Sequence, residues 1–308
     1  MEWAGTTFGN RWMHKGLICM LRWADVRLFY AFTAVFIVPV CLVLNESRSI
    51  IYRYFRQRHG YGVWRAAWKT YVNHCLFSQV VIDRFAMFAG KKFHVEMEGY
   101  DHFLQLAKQE AGFIQLSSHI GNYEIAGYTL VAQHKPFNAL VYYGEKQSVM
   151  EGREQMFAGT NIKMIPVSHD MSHLFMIDNA LENGETVSLP ADRIFGSQKF
   201  ITVPFLGKPA DFPLGPFSVA TMRGLDTLAV NVMKTSSKSY KIYVTPLPYS
   251  KDAPRKQQME ELASAYVKEL ERMVKLYPEQ WYNFFEFWKS QPFTPPHGRG
   301  VAGVDEND

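Results

Sequence analysis

Residues 112–127 read GFIQLSSHIGNYEIAG. The apolar run at 113–116 is typical of a buried strand, whereas apolar residues from Tyr123 onward recur at helical spacing. Gly121 permits a tight bend of the backbone, and Asn122 is a candidate helix cap. The pattern therefore predicts a strand, a tight turn and a helix, in that order.

Two side chains of this stretch suit proton transfer. His119 lies in the predicted turn and Glu124 lies in the first helical turn, five positions later. An imidazole can accept the proton of a hydroxyl that attacks a carbonyl, and a carboxylate on its other ring nitrogen fixes the tautomer and stabilises the imidazolium. Backbone N–H groups near Gly121, at the start of the helix, are candidates for stabilising an oxyanion.

This pair contains no nucleophile of its own, so a hydroxyl or amine of a second substrate would attack. If the pair is catalytic, the reaction is acyl transfer to an acceptor. On spacing alone, however, a structural histidine at His119 is favoured over a catalytic one. Zinc hydrolysis is disfavoured because the next histidine, His134, lies beyond the predicted helix. A serine hydrolase is disfavoured because Gly-x-Ser-x-Gly is absent and Ser117 and Ser118 would point to opposite faces of a strand. No metal and no bound cofactor are predicted.

The composition describes a folded chain with a substantial core. Of its 308 residues, 47% are hydrophobic and 15% aromatic, which excludes a disordered protein and allows one large or two small domains. The net charge of +4 is spread through the chain without a basic strip, so nucleic-acid binding is not expected. The widely spaced Cys19, Cys41 and Cys75 indicate free thiols in a reducing compartment.

The N-terminal region has the pattern of a membrane-associated segment. A helical apolar stripe at 17–28 carries arginine and lysine on its other faces, which suits a membrane surface. The 17 residues at 28–44 then contain no charge and are interrupted only by Pro39. As a helix they would rise about 26 Å against a hydrocarbon core of about 30 Å. We expect a membrane anchor or interfacial helix, not a cleaved signal peptide; a buried helix of a soluble domain is the alternative.

Cations and aromatic side chains alternate at 48–69, as favoured at an interface with anionic headgroups. The alternative is a pair of helices with solvated basic faces, broken at Gly60 and Gly62. A further helix is predicted at 64–89.

From Phe93 onward, short apolar runs alternate with amphipathic segments, which is the pattern of an α/β domain. The predicted strands are 93–97, 113–116, 139–143, 163–167, 186–189, 201–205, 227–232 and 240–244. The predicted helices are 101–109, 123–132, 147–157, 172–183, 216–222 and 260–276. The chain thus divides into a helical, membrane-associated region at 1–90, an α/β domain at 91–290 and a loose tail at 291–308.

The His119 and Glu124 pair at a strand-to-helix turn resembles the first signature of the lysophospholipid acyltransferase superfamily, His-x4-Asp or His-x4-Glu. Residues 189–193, LPADR, resemble the block in which this superfamily keeps an acidic residue and often an arginine. Residues 203–216 are similar to the block that follows. Residues 278–288, PEQWYNFFEFW, are similar to the C-terminal block of the lipid A lauroyl/myristoyl acyltransferase branch. The resemblance covers about residues 10 to 290.

The resemblance implies a mixed β-sheet flanked by helices and an acyltransferase at the cytoplasmic face of the bacterial inner membrane. The implied donor is an acyl thioester, acyl-ACP rather than acyl-CoA, and the implied acceptor is a lipid such as a lipid A precursor or another envelope glycolipid. His119 would be the general base and Glu124 its orienting partner. The implied substrate-binding residues are Ser118, Gly121, Asn122, Asp192 and Arg193.

Two departures weaken the case for a bis-phosphorylated acceptor. Phe285-Glu286 stands where the lipid A enzymes carry adjacent arginines, and no arginine occurs at 142–145. The ending is similar to a bacterial subgroup associated with aryl-polyene-type and other envelope lipids. A lysophospholipid, an aminolipid or an aryl-polyene-type lipid is therefore an alternative acceptor, and a thioesterase-like hydrolase or a membrane adaptor is an alternative function. Asp192 and Arg193 could instead form a surface ion pair, and the aromatic residues at 281–288 fit core packing better than a lipid groove.

Overall fold

The structure is a computed structural model that describes residues 11–45, 47–130, 135–142, 147–167, 171–194 and 199–288. The loose tail predicted at 291–308 lies outside these ranges. The first part of the described chain is helical, with helices α1 (Arg11–Trp23), α2 (Val26–Phe32), α3 (Val38–Leu44), α4 (Ser47–Gln57) and α5 (Val63–Phe88).

One almost continuous helical segment, Val26–Leu44, contains α2 and α3. It begins at Asp25, whose carboxylate accepts a hydrogen bond from the backbone N–H of Arg27 at 2.9 Å. A π-helical turn, Thr33–Ile37, joins the two helices and ends two residues before Pro39. Proline lacks an N–H and its ring crowds the preceding turn, which accounts for the local widening.

The side chains of this segment are mostly exposed. By length and composition, Val26–Leu44 is sufficient to cross a membrane, and only 17% of its apolar window is buried. Phe32, Phe36 and Val40 are 55%, 60% and 54% exposed. A core helix of a soluble domain would enclose such side chains, so the alternative of a buried helix does not fit.

A seven-stranded mixed sheet forms the centre of the α/β region, which confirms the mixed sheet expected from the family resemblance. Its strands are β1 (His94–Glu98), β2 (Phe113–Ser117), β3 (Phe137–Tyr142), β4 (Ile162–Val167), β5 (Thr186–Pro190), β8 (Thr227–Lys234) and β9 (Ser239–Pro246). Their order is β1-β9-β8-β2-β5-β3-β4, and every neighbouring pair is parallel except β8 and β9. All eight residues of β8 are buried, as expected for a strand covered on both faces.

A separate antiparallel hairpin consists of β6 (Phe200–Phe205) and β7 (Lys208–Pro213). The sequence predicted β6 but not β7, which contains charges and prolines. Two-stranded hairpins tolerate such residues, because each strand has an edge that needs no N–H donor. Leu206 and Gly207 both have positive φ, 48° and 77°, which matches the twist that a two-residue hairpin turn requires.

Apolar clusters cover both faces of the sheet, and each of the eight predicted strands has a counterpart in the structure. Ile114 and Leu116 belong to the larger cluster, which also contains Trp281 and Phe287, whereas Phe113 belongs to a cluster on the opposite face. Trp281 and Phe287 are thus core residues. The remaining helices are α6 (Tyr100–Ala107), α7 (Tyr123–Thr129), α8 (Gln147–Phe157), α9 (Ser172–Glu182), α10 (Leu214–Met222) and α11 (Arg255–Leu276).

Candidate functional site

The turn between β2 and α7 carries the candidate site. Gly121 has a φ of +62°, and a Cβ atom at this position would lie 1.9 Å from the carbonyl oxygen of Val232. Glycine is therefore required here for both its conformation and its lack of a side chain. The turn also forms a bridge from Ile120 to Trp281, next to the last short helical turn, Pro278–Gln280.

His119 is held by Asp192 at two points. Its ring nitrogen Nδ1 lies 2.8 Å from Oδ1 of Asp192, and its backbone N–H donates to Oδ2 at 2.7 Å. The two residues follow the ends of the parallel neighbours β2 and β5, where Ser117 pairs with Pro190. The side chain of Asp192 is 2% exposed and that of His119 is 26% exposed. This contact makes Nδ1–H the donor to Asp192 and leaves Nε2 as the ring nitrogen that can accept a proton.

The charges around the pair favour a neutral imidazole beside an ionised carboxylate. Burial lowers the pKa of His119, Arg193 lowers it further, and Asp192 opposes this only in part. Burial alone would raise the pKa of Asp192, but His119 and Arg193 together hold it below its usual range. His119 is therefore suited to act as a base near neutral pH.

Glu124 has different partners from the one predicted. Its carboxylate accepts a hydrogen bond from Arg84 Nε at 2.9 Å and from an Arg153 guanidinium nitrogen at 2.6 Å. Burial alone would raise the pKa of Glu124, but the two arginines lower it to about 2. The chain changes direction at Gly121, so that Glu124 faces α5 and α8. Asp192, and not Glu124, is the carboxylate at His119.

Tyr123 lies between the two groups. Its ring centroid is 5.8 Å from that of His119, at an interplanar angle of 72°. Burial and the charge of Glu124 raise the pKa of its hydroxyl. The side chain of Tyr123 remains 42% exposed next to the ring of His119.

Ser118 and Asn122, predicted to bind substrate, are enclosed in the protein. Ser118 is 3% exposed, and its hydroxyl donates to Oδ1 of Asn231 at 3.0 Å. Asn122 is 2% exposed and precedes the first residue of α7, but its side chain makes no capping bond. Its amide nitrogen donates to the hydroxyl of Tyr240 at 3.3 Å. Both residues thus support the turn from inside, and their side-chain polar groups bond within the protein.

The oxyanion site expected at Gly121 is also different in the structure. The N–H of Gly121 donates to the carbonyl of Gln280 at 2.8 Å, and the N–H of Asn122 donates to the carbonyl of Val232 at the same distance. Both donors are used within the protein. They fix the turn, and they are not directed at a thioester carbonyl.

Arg193 connects the site to the C-terminal block. A guanidinium nitrogen of Arg193 donates to the carbonyl of Tyr282 at 2.9 Å, and the guanidinium lies 5.6 Å from the ring of Phe285. The N–H of Tyr282 donates in turn to the carbonyl of His119 at 3.1 Å. Glu286 forms an ion pair with α4. The two positions where the family resemblance suggested arginines therefore contact cations of this chain.

Arg84 and Arg153 contact Glu124 next to the candidate site and were not predicted from the sequence. Arg84 had a usable signal, because Asp83 and Arg84 are the only charged residues between Lys69 and Lys91. Two adjacent charges in so apolar a helix indicate buried partners. Arg153 lies on α8 among other polar residues, and no local pattern distinguishes it. Among the described residues, no three His, Cys, Asp or Glu side chains converge in a way that could hold a metal ion.

Comparisons with known proteins identify the family. The family model "Bacterial lipid A biosynthesis acyltransferase" matches residues 87–290, which include His119, Glu124 and Asp192. A phosphatidylinositol mannoside acyltransferase of Mycobacterium tuberculosis is 25% identical over 127 residues, a match that spans 41% of this chain and only 40% of that relative. A 1-acyl-sn-glycerophosphate (LPA) acyltransferase, PlsC, from Thermotoga maritima aligns with a TM-score of 0.38 and 16% identity over 88% of this chain and 100% of its own. Because the family model covers more than half of the chain, including its His-x4-Glu turn, the protein belongs to the family of bacterial lipid A biosynthesis acyltransferases.

Proposed function

We propose that the protein transfers a fatty acyl chain from an acyl thioester to a hydroxyl group of a lipid, with His119 as general base and Asp192 as its orienting partner. The observation that carries this proposal is the contact of 2.8 Å between Nδ1 of His119 and the buried carboxylate of Asp192. A histidine that is fixed in one tautomer, has a lowered pKa and keeps its ring partly exposed is equipped for general-base catalysis.

The reaction needs no nucleophile from the protein. Nε2 of His119 takes the proton of the acceptor hydroxyl while the hydroxyl oxygen attacks the thioester carbonyl. The tetrahedral intermediate collapses with cleavage of the C–S bond, and the imidazolium returns its proton to the thiolate. The carboxylate of Asp192 stabilises the imidazolium between these steps. The products are an acylated lipid and the free thiol of the donor.

The donor proposed from the family resemblance is acyl-ACP. The acceptor we favour is an envelope glycolipid such as a lipid A precursor, and a glycolipid also appears in the name of the mycobacterial relative. Glu124 neutralises part of the charge of Arg84 and Arg153, and Asp192 does the same for Arg193. This balance supports an acceptor with less negative charge than a bis-phosphorylated lipid.

A transfer assay tests the proposal. Acyl-ACP or acyl-CoA is supplied with and without a bacterial envelope-lipid extract, and free thiol, free fatty acid and acylated lipid are measured. Transfer requires equal amounts of thiol and acylated lipid, and His119→Ala should lower the rate by about 10²-fold or more. Equal amounts of thiol and fatty acid, independent of lipid, would indicate a hydrolase. If no thioester is consumed with any lipid fraction, a membrane adaptor is the better description.

The acidic limb of the pH profile of kcat/KM should lie at an unusually low pH. His119 must be neutral to accept a proton, and its pKa lies below the usual 6.5. Activity should therefore be constant from neutral pH down to below pH 6.5 and then fall with a slope of one proton. The measurement is kcat/KM across pH 4.5–8, limited to conditions in which thermal unfolding shows a folded enzyme. A limb above pH 6.5 would contradict the assignment of His119 as this base.

Attachment to the cytoplasmic face of the inner membrane is part of the proposal. The exposed apolar residues of Val26–Leu44 support attachment to a membrane, whereas the inner membrane and its cytoplasmic face are proposed from the family resemblance. Four tryptophans nearby have the amphipathic character favoured at membrane interfaces, since their exposed fractions range from 61% to 89%. They are Trp12, Trp23, Trp64 and Trp68.

The triple variant Phe32→Ser, Phe36→Ser and Val40→Ser should detach the protein from vesicles. Each side chain is about half exposed and would lose about 1 kcal/mol of apolar transfer energy. Together this predicts a fall in vesicle affinity of about 10²-fold in co-sedimentation with bacterial lipid vesicles. A matched control replaces three exposed apolar residues elsewhere, Phe175, Phe200 and Leu276, by Ser. Equal binding by both triple variants would contradict attachment through this segment.

A further inference from the structure

A buried polar cluster, separate from His119 and Asp192, connects four elements of the fold. Asp83 of α5 forms an ion pair with Lys234 of β8, and their side chains are 0% and 3% exposed. The carboxylate of Asp83 also accepts hydrogen bonds from the hydroxyls of Tyr30 and Tyr240. The ammonium of Lys234 lies 3.1 Å from the hydroxyl of Tyr30 and 3.3 Å from that of Tyr240. We call these four residues the Asp83 cluster.

The Asp83 cluster contacts the turn between β2 and α7 through Asn122. The hydroxyl of Tyr240 accepts the hydrogen bond of 3.3 Å from the side-chain amide of Asn122, the residue that precedes α7. A second connection runs through Gln280, whose side chain accepts from the backbone N–H of Lys234 at 2.9 Å and donates to its carbonyl at 2.8 Å. The carbonyl of Gln280 accepts the N–H of Gly121 at 2.8 Å.

A third connection lies on α5 itself. Arg84 follows Asp83 directly and donates to Glu124 at 2.9 Å. The cluster and its neighbours thus hold the turn at Gly121, at Asn122 and at Glu124, directly after His119 in the chain.

Burying two charged side chains costs desolvation free energy, so such a cluster adds little net stability to the fold. Burial raises the pKa of Asp83 and lowers that of Lys234, because each charge is removed from water. Buried ion pairs can often be replaced by neutral groups at little or no loss of stability. What the ion pair adds is a fixed geometry, since its partners must meet at defined distances and angles.

We propose that Asp83 and Lys234 are positioning residues for acyl transfer, which fix the turn and thereby the orientation of His119. This inference rests on the proposed function for its kinetic part. On this proposal, catalysis requires the polar contacts between α5, β8 and β9, although no side chain of the Asp83 cluster contacts the reacting atoms. Small misplacements of a catalytic group are costly, and about 1 Å can reduce a rate by about 10²-fold.

The test uses the full-length double variant Asp83→Asn with Lys234→Met. The amide of Asn can still bond to the two tyrosine hydroxyls, while Met fills the volume of Lys without its charge. We expect an unfolding temperature close to that of the wild type, a fall in kcat of about 10-fold to 10²-fold and an unchanged KM for the donor. Hydrogen exchange at the amides of Gly121 and Asn122 should become faster, because loss of the ion pair loosens β8, which carries Val232, the acceptor of Asn122, and whose Lys234 backbone contacts Gln280, the acceptor of Gly121.

A matched control neutralises an exposed ion pair by Asp226→Asn with Lys251→Met. Lys251 and Asp226 are 2.6 Å apart and about half exposed, so neither kcat nor exchange at the turn should change. If the Asp83 and Lys234 double variant does not fold, Tyr240→Phe replaces it, because this change removes only the hydroxyl between the ion pair and Asn122. The inference is overturned if the folded variant keeps kcat within about twofold of an active wild type and exchanges its turn amides at the wild-type rate. A wild type without transferase activity would refute the proposed function instead, while the exchange measurement would still test the contact between cluster and turn.

Discussion

Replacing Asp192 by Asn is expected to lower kcat by about 10²-fold, close to the loss expected for His119→Ala, while leaving the fold intact. The side chain of Asp192 accepts from both the ring and the backbone N–H of His119, at 2.8 Å and 2.7 Å. An amide of the same shape can keep one of these contacts, but it carries no charge to stabilise the imidazolium. Its NH2 group can also turn toward the ring and select the tautomer with the proton on Nε2, which cannot accept the proton of the acceptor. The measurement is kcat at saturating donor, with circular dichroism and thermal unfolding as checks of folding.

The matched comparison is Glu124→Gln, the same change at the other acidic residue. If Glu124 were the orienting residue, as its spacing from His119 suggested, this variant would show the larger loss in kcat. The geometry predicts the reverse order, because the partners of Glu124 are Arg84 and Arg153. An Asp192→Asn enzyme with wild-type kcat would show that the contact with His119 has no part in catalysis.

Asp192 and Glu124 show which parts of the site the sequence alone could predict. The strand, the turn and the helix around His119 follow from a local pattern, and Gly121 indeed takes the positive φ that a tight bend requires. The partner of His119 depends on the pairing of β2 with β5, which lie about 70 residues apart in sequence and become neighbours only in the folded sheet. Asp192 was recognised as a site residue through the family resemblance, but its contact could not be derived from spacing.

Other differences between the predicted and the observed site also arise from contacts between elements that are distant in sequence. Arg84 and Arg153 lie on separate helices and meet only because both contact Glu124. The N–H groups of Gly121 and Asn122 looked available because the sequence does not show that Gln280 and Val232 come within hydrogen-bond distance. Local periodicity therefore predicted elements well, whereas hydrogen-bond partners between distant elements required the structure.

Removing the carboxylate of Glu124 should affect stability more than any other single change in the site. The side chains of Glu124, Arg84 and Arg153 are 8%, 13% and 9% exposed, so Glu124→Ala would leave two guanidinium groups near each other without this anion. Loss of one partner from a buried ionic group costs about 3 to 5 kcal/mol. We expect a fall in unfolding temperature of about 10 °C by calorimetry or circular dichroism.

An exposed ion pair with the same N–O distance is the control for the Glu124→Ala prediction. Arg223 and Asp178 are 2.6 Å apart, as are Arg153 and Glu124, but their side chains are 28% and 47% exposed. Asp178→Ala should therefore cost at most about 1 kcal/mol. A loss of stability in Glu124→Ala no larger than in Asp178→Ala would contradict a buried ionic role for Glu124.

The pH dependence of the unfolding free energy gives a second measure of the interaction between Glu124 and the two arginines. The pKa of Glu124 falls from the ordinary 4.5 to about 2 in the folded protein. This difference corresponds to about 3 kcal/mol, in line with the expected cost of Glu124→Ala. A carboxylate with a lowered folded-state pKa contributes its stability above the unfolded value and loses it as pH falls toward the folded value. The difference in unfolding free energy between wild type and Glu124→Ala should thus be complete above about pH 5 and decrease between pH 4.5 and 2. A difference that does not change with pH in this window would mean that Glu124 stabilises the protein by packing, and not by its charge.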